Sequence, residues 1–326
     1  MEPFVPLFRN PHLLTIAGNY WPRPADERRF PVSARLYETE PGVQVLVHSQ
    51  LPQADPVAQV FVVHGLEGSS EAGYARSFAH AALQAGYAVH RFNMRSCGGT
   101  EHLSGRVLYH SGQTGDLLAV IRQVRSRIPM MLIGFSLGGN VVLKLAGELG
   151  ESAGPLIAGL AAVSTPIDLA ACARRLCARS NTLYSRRFLS RLEQRIRLKE
   201  SLMPGLFSLE DLGRVKTIYD FDDLFTARSF GFGTADNYYA TQSSNQFLEH
   251  IRVPALLVQA QDDPMIPFEV YRHPAFSSND NLRLLATEHG GHLGFVSKQK
   301  PRLWLDGVLM EWIEQVRNKV TEASVL

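Results

Sequence analysis

The apolar run Met130-Met131-Leu132-Ile133 passes through Gly134-Phe135-Ser136-Leu137-Gly138-Gly139 into Asn140-Val141-Val142-Leu143-Lys144-Leu145-Ala146. A strand, a glycine-pinched turn and a helix in immediate succession commit the chain to helices packed on a mostly parallel sheet. Glycine at positions 134 and 138 removes Cβ atoms that would clash in so sharp a turn, and the turn lifts the Ser136 hydroxyl into the cleft above the sheet. A hydroxyl at its ordinary pKa is a poor nucleophile, so acyl chemistry here needs a base to take its proton and donors to hold an oxyanion. The plainer reading is a loop whose serine only caps the next helix. The rest of the chain decides between them.

Further apolar runs recur at Val43 to His48, Val60 to His64, Ala88 to Asn93, Ile157 to Ser164, Ala255 to Gln259 and Leu282 to Ala286. Helix-prone stretches lie between several of them: Ala72 to Ala85, Thr114 to Arg127 and Val141 to Glu148. The alternation predicts an α/β fold with a mostly parallel central sheet flanked by helices. Such sheets bind ligands at the carboxyl ends of their strands. From about 165 to 251 the alternation stops. That segment holds eight arginines between Arg174 and Arg197, interleaved with Leu176, Leu183, Phe188, Leu189, Leu192, Ile196 and Leu198, then aromatic residues from Phe221 to Tyr239. It is expected to form a helical lid inserted between two strands of a single domain spanning 1–326. Residues of about 1–30 are expected to form an N-terminal arm, irregular from Pro6 to Pro24.

With 326 residues, 45% of them hydrophobic and 20% charged, the composition is that of a folded globular chain. A net charge of +2 provides no overall field directed at nucleic acid. Cys97, Cys172 and Cys177 are an odd number without metal-ligand spacing, which leads to the expectation of a reducing compartment. The opening Met1-Glu2-Pro3 lacks a secretory signal pattern, so a cytoplasmic location is expected. No metal and no cofactor is expected, since neither clustered ligands nor a phosphate-binding Gly-Lys-Ser/Thr loop is present. The arginine-rich stretch is read as a solvated helix face, with peripheral contact to anionic membrane as the alternative.

After the next-to-last strand comes Asp262-Asp263-Pro264-Met265-Ile266-Pro267, and after the last comes His289-Gly290-Gly291-His292-Leu293-Gly294. The order Ser136, Asp, His is that of hydrolases whose acid and base follow the last two strands. Asp263 is preferred as the acid because its spacing to Pro267 suits a turn aimed across the strand ends, with Asp262 expected to be solvated or to cap that turn. His292 is preferred as the base because flanking glycines leave its loop free to swing over Ser136, while His289 packs or caps. Oxyanion donors are expected from the backbone N–H groups of Leu137 and of Leu66 in Val63-His64-Gly65-Leu66-Glu67-Gly68. His64 is expected to brace that loop rather than act as a second base.

Together with Asn10-Pro11-His12-Leu13-Leu14-Thr15-Ile16 and Asn93-Met94-Arg95-Ser96-Cys97-Gly98-Gly99, these motifs resemble the α/β hydrolases. More narrowly, the chain is similar to the YheT-like branch, which includes eukaryotic abhydrolase-domain esterases and yeast ethanol acyltransferases. The resemblance covers most of the chain. It implies a serine carboxylic ester hydrolase acting on acyl esters, short- to medium-chain or monoacylglycerol-like, with Ser136, Asp263 and His292 as its triad. Acyl transfer to an alcohol, which intercepts the same acyl-enzyme, is the runner-up that the resemblance implies. A non-catalytic binding protein on this fold is the reading from another class. Ser96 departs from the branch, where glycine is expected after the arginine. Asn93 and Arg95 are expected to brace the cleft, and Cys97 to pack.

Overall fold

The computed structural model describes residues 2–105 and 108–323. Among these, the strands are β1 (Ser33–Glu40), β2 (Val43–Gln50), β3 (Ala58–Val63), β4 (Tyr87–Phe92), β5 (Met130–Phe135), β6 (Gly159–Val163), β7 (Ala255–Ala260) and β8 (Leu282–Thr287). They form one eight-stranded sheet in the order β1-β2-β4-β3-β5-β6-β7-β8. β1 and β2 run antiparallel to their neighbours, and every pair from β4 to β8 is parallel. β3, β5, β6 and β7 are buried along their whole length, which is why they read as unbroken apolar runs rather than alternating ones. β1 has no counterpart among the expected strands. It is an edge strand with only Tyr37 buried, so its polar sequence carries no hydrophobic signal.

Helices cover both faces. α1 (Pro11–Tyr20), α2 (Gly73–Gln84), α3 (Thr114–Val124) and α4 (Leu137–Leu149) precede β6. Along α2 the buried residues Ala75, Phe78, Ala79, Ala82 and Leu83 form a single stripe, the mark of a helix lying on a sheet. They pack with Val60, Val62, Met131, Ile133, Leu256 and Val258 on one sheet face, where the C-terminal helix also docks. Alternate residues of the same strands, Phe61, Leu132, Leu160 and Leu257, join Leu117 and Ile121 of α3 and Val141 and Leu145 of α4 on the other. The period of two thus divides one sheet between two cores.

Between β6 and β7 the chain forms α5 (Leu169–Leu176), the long α6 (Thr182–Leu202), a π-helical turn at Asp222–Thr226 and α7 (Ala235–Gln242). Leu189, Leu192 and Ile196 of α6 build a satellite core with Leu108, Leu212, Ile218, Phe221 and Phe225. The N-terminal arm is not irregular from Pro6 to Pro24, because α1 occupies much of it. Asn10 Oδ1 accepts from the His12 and Leu13 amides and Pro11 fills the first turn, a start signal present in the sequence. Among the described residues, no helix is long and apolar enough to cross a membrane.

Candidate active site

Parallel register brings the ends of β3, β5, β7 and β8 to one edge of the sheet. Ser136 leaves the end of β5 with φ 52° and ψ −122°, a conformation that costs a non-glycine residue about 1–3 kcal/mol. Its surroundings hold it there. The Ser136 amide donates to the Val163 carbonyl at 2.8 Å, and its own carbonyl accepts from the Gly139 amide at 2.8 Å. A Cβ at Gly134 would collide with the Gly138 carbonyl, and one at Gly138 with the Val63 carbonyl. Any side chain at either position would open the turn.

His292 Nε2 lies 3.0 Å from Ser136 Oγ, and His292 Nδ1 lies 2.9 Å from Asp263 Oδ2. With Nδ1–H donated to the carboxylate, Nε2 is the acceptor facing the hydroxyl. The Asp263 side chain is wholly buried, and its other oxygen accepts from the Met265 and Ile266 amides at 2.8 and 3.1 Å. Those two amides, His292 and Gln259, whose Nε2 donates to Oδ2 at 3.3 Å, fix the aim of the carboxylate. The neighbouring Asp262 turns elsewhere, accepting from the Gly291 amide and lying 3.0 Å from His289 Nδ1. It ties the last loop to the β7 turn, so Asp262 is neither simply solvated nor a cap of its own turn.

The glycines around His292 serve packing rather than freedom. A Cβ at Gly291 would collide with the Pro11 carbonyl and one at Gly294 with the Leu14 carbonyl, while a Cβ at Gly18 would fall 2.6 Å from Gly294 Cα. α1 therefore lies directly on the histidine loop. Thr15 Oγ1 of that helix accepts from the His292 amide at 2.9 Å and donates to the Pro11 carbonyl at 2.7 Å.

Above Ser136 runs the loop after β3, close enough that a Cβ on Gly65 would stand 3.0 Å from Ser136 Cβ. The Gly65 amide donates to Tyr74 Oη, the Glu67 amide to Tyr109 Oη and the Gly68 amide to the Gly65 carbonyl. Leu66 and Leu137 both line the cavity that Ser136 and His292 face. Leu137 opens α4, where the helix dipole adds partial positive charge. His64 braces this loop. Its Nε2 accepts from the Met94 amide and its Nδ1 donates to the Gly65 carbonyl, and complete burial lowers its pKa to about 4.

Residues from other elements brace this loop and its surroundings. Glu67, with φ 53°, is gripped by Arg195 of α6 at 2.8 and 2.9 Å, with side chains only 4% and 10% exposed. Arg95 is bound between Asp116 and Glu40, and Asn93 joins the Ser70 amide to the Leu46 carbonyl. Ser96 takes φ 59°, the left-handed backbone that glycine would meet with least strain. Cys97 is buried, and desolvation pushes its thiol up to about 12, far from a reactive thiolate.

Two cavities meet at Ser136 and His292. One, of about 110 Å³, is apolar and is lined by residues including Leu66, Leu169, Leu176, Phe188, Leu192 and Ile218. Asp222 faces it from the π-helical turn, accepting from Tyr239 Oη and Thr226 Oγ1, and burial raises its carboxyl pKa to about 6. The other, of about 400 Å³, opens between α1 and α6 past Ile16, Tyr20, Tyr184, Arg187 and Arg191.

Residues 59–299 match the family described as alpha/beta hydrolase fold. The chain is an α/β hydrolase. Across 320 residues this hydrolase is 32% identical to YheT of Escherichia coli (strain K12), an esterase by name, covering 95% of this chain and 92% of that one. It is 30% identical over 261 residues to a mouse protein named phospholipase ABHD3, covering 78% of this chain and 63% of the relative. Over 289 residues it is 28% identical to a protein of Saccharomyces cerevisiae named monoacylglycerol lipase, covering 83% and 62% of the two chains. It thus spans under two thirds of the length of those two eukaryotic relatives. The fold is shared with the Pyrococcus furiosus esterase Pf2001, at a TM-score of 0.58 and 18% identity over 90% of this chain and 98% of that one. The relatives are esterases and lipases, and this hydrolase is of their carboxylesterase and lipase-like kind. Sequence reasoning alone did not find Thr15, Arg195 or Asp222 at the site. Thr15 lies inside the Asn10–Ile16 motif and Arg195 inside the arginine-rich run, but neither pattern says what the side chain meets across the fold.

Proposed function

We propose that the protein hydrolyses carboxylic esters through an acyl-enzyme on Ser136, with His292 as base and Asp263 as its orienting acid. The observation that carries this reading is the unbroken chain from Asp263 Oδ2 through both imidazole nitrogens to Ser136 Oγ, at 2.9 and 3.0 Å. In the first half-reaction Ser136 Oγ bonds to the ester carbonyl carbon as its proton passes to His292 Nε2. The carbonyl oxygen becomes an oxyanion facing the Leu66 and Leu137 amides. Collapse breaks the bond to the alkoxy group, which leaves as an alcohol with the proton from His292. Water then repeats the sequence, releasing the acid and restoring Ser136.

The apolar cavity suits an acyl chain of short to medium length, and the wider one suits the alcohol part, including a monoacylglycerol-like glyceryl group. The names of the yeast and mouse relatives favour lipid-derived esters. The helical segment of about 165–251 is read as a lid over one domain, supported by the α5 and α6 residues Leu176, Phe188 and Leu192 in the cavity wall. A series of p-nitrophenyl esters and monoacylglycerols of rising chain length tests the reading. Turnover is expected for the native chain and a fall in kcat/KM of at least about 10⁴-fold in Ser136→Ala. Equal turnover by Ser136→Ala contradicts it.

A further inference from the structure

α1 is built inside out. Its inner residues Leu14, Thr15 and Gly18 pack on the His292 loop, while Leu13, Ile16 and Tyr20 are 50%, 49% and 69% exposed. Their spacing of three and four places all three on one helix face, directed at solvent. Leu183, in the first turn of α6, is 79% exposed. His12 Nδ1 lies 3.1 Å from Tyr184 Oη and Arg187 Nη1 lies 3.4 Å from Tyr20 Oη, so α1 and α6 form one continuous surface. Water-soluble chains rarely group so many exposed apolar side chains without an occupant for them.

The charge of this surface points to the occupant. At 100° per residue, Arg186, Arg187 and Arg197 fall within about 60° of Leu183 on α6, and all three are exposed. α1 contains no acidic residue. Of the nearby acids, Glu193 of α6 lies about 80° from Leu183 and offsets one of the three arginines, whereas Glu200 is engaged by the Gly205 and Phe207 amides, Glu67 by Arg195 and Glu71 by Arg91. Cationic groups beside apolar ones match an anionic lipid surface, with phosphates over the guanidinium groups and acyl chains under the leucines. A second copy would bring the same positive charge against itself. The wider cavity opens between these helices and leads to Ser136.

We propose that the outer faces of α1 and α6 dock this hydrolase on anionic lipid surfaces, turning the mouth of the wider cavity toward the membrane. The proposal extends the ester-hydrolase reading, but docking itself needs no chemistry at Ser136. Its test is co-sedimentation of the full chain with phosphatidylcholine vesicles, plain or containing about 30% phosphatidylglycerol. Binding is expected to the anionic vesicles at least about tenfold above plain ones and to fall in high salt. Leu13→Glu with Leu183→Glu is expected to weaken it at least about tenfold, because neither side chain can then enter the lipid interface. Turnover of a soluble short-chain ester is expected to stay at the native level and reports folding of the variant. Arg186→Gln with Arg197→Gln, which leaves the apolar stripe intact, is expected to lose about tenfold or more, at roughly fivefold per charge. Equal binding to both vesicle types, or native binding by both variants, overturns the proposal. So does a native dimer that Leu13→Glu with Leu183→Glu converts to monomer, which assigns the face to a second copy. Ser136→Ala should bind vesicles as the native chain does, so loss of ester turnover and loss of docking are read separately.

Discussion

Thr15 shows how a residue far from the chemistry in sequence holds a group at its centre. Its hydroxyl accepts the His292 amide, fixing the backbone from which the imidazole projects between Ser136 and Asp263. Thr15→Val keeps the shape and removes the acceptor, and is expected to lower kcat about tenfold with little change in KM, while Thr15→Ser keeps near-native kcat. Steady-state kinetics on a soluble ester checks this. Asp222 makes a different prediction because burial raises its carboxyl pKa from 3.8 to about 6. An acid whose pKa is raised on folding adds stability below its unfolded value, and that stability is lost as pH rises through the folded value. Asp222→Asn is therefore expected to gain stability over the native chain at pH 8, by up to about 3 kcal/mol, and little at pH 4. Thermal melts across that range measure the crossover.

The contact of α6 with the loop after β3 is the point where one element acts on another. Arg195 grips Glu67, which directly follows Leu66, so the helix fixes the loop after β3. Arg195→Met leaves a buried carboxylate without its partner, and a loss of about 3–5 kcal/mol is expected, with kcat falling more than KM rises. Adding Glu67→Met should restore most of the stability, since the charge that needed a partner is gone. Urea denaturation of the four chains in that cycle supplies the numbers. The strands β2 to β8 were legible because burial on both faces or alternation leaves an apolar signature. β1 was not, because an edge strand answers to its partner β2 rather than to a core. α1 carries a start signal in Asn10-Pro11, but Pro3, Pro6, Pro22 and Pro24 on either side equally fit irregular chain.

At the scale of the molecule, the sheet brings Ser136 to an aspartate and a histidine that lie more than a hundred residues further along the chain. The order of serine, aspartate and histidine could be read from the sequence because each follows a strand end. The distances between them could not be, since they depend on register, on α1 and on α6. The same burial that positions the site also sets an acid limit. His64 and His90 have pKa values lowered to about 4 and His110 to about 3, chiefly by desolvation. A histidine depressed on folding contributes stability above its unfolded value of 6.5, and that contribution is lost as pH falls toward the folded value. Net stability is thus expected to drop by a few kcal/mol, of order 3, between pH 7 and pH 4.5, although Asp222 and Asp306 act in the opposite sense. Chemical denaturation at the two pH values checks the sign. The central claim, that the Ser136 hydroxyl is the activated nucleophile, is tested most directly by intact and peptide mass measurement after treatment with a fluorophosphonate. The account predicts a single adduct on Ser136, absent from Ser136→Ala and strongly slowed in His292→Ala; a folded native chain that takes no adduct, or takes it at another residue, contradicts it.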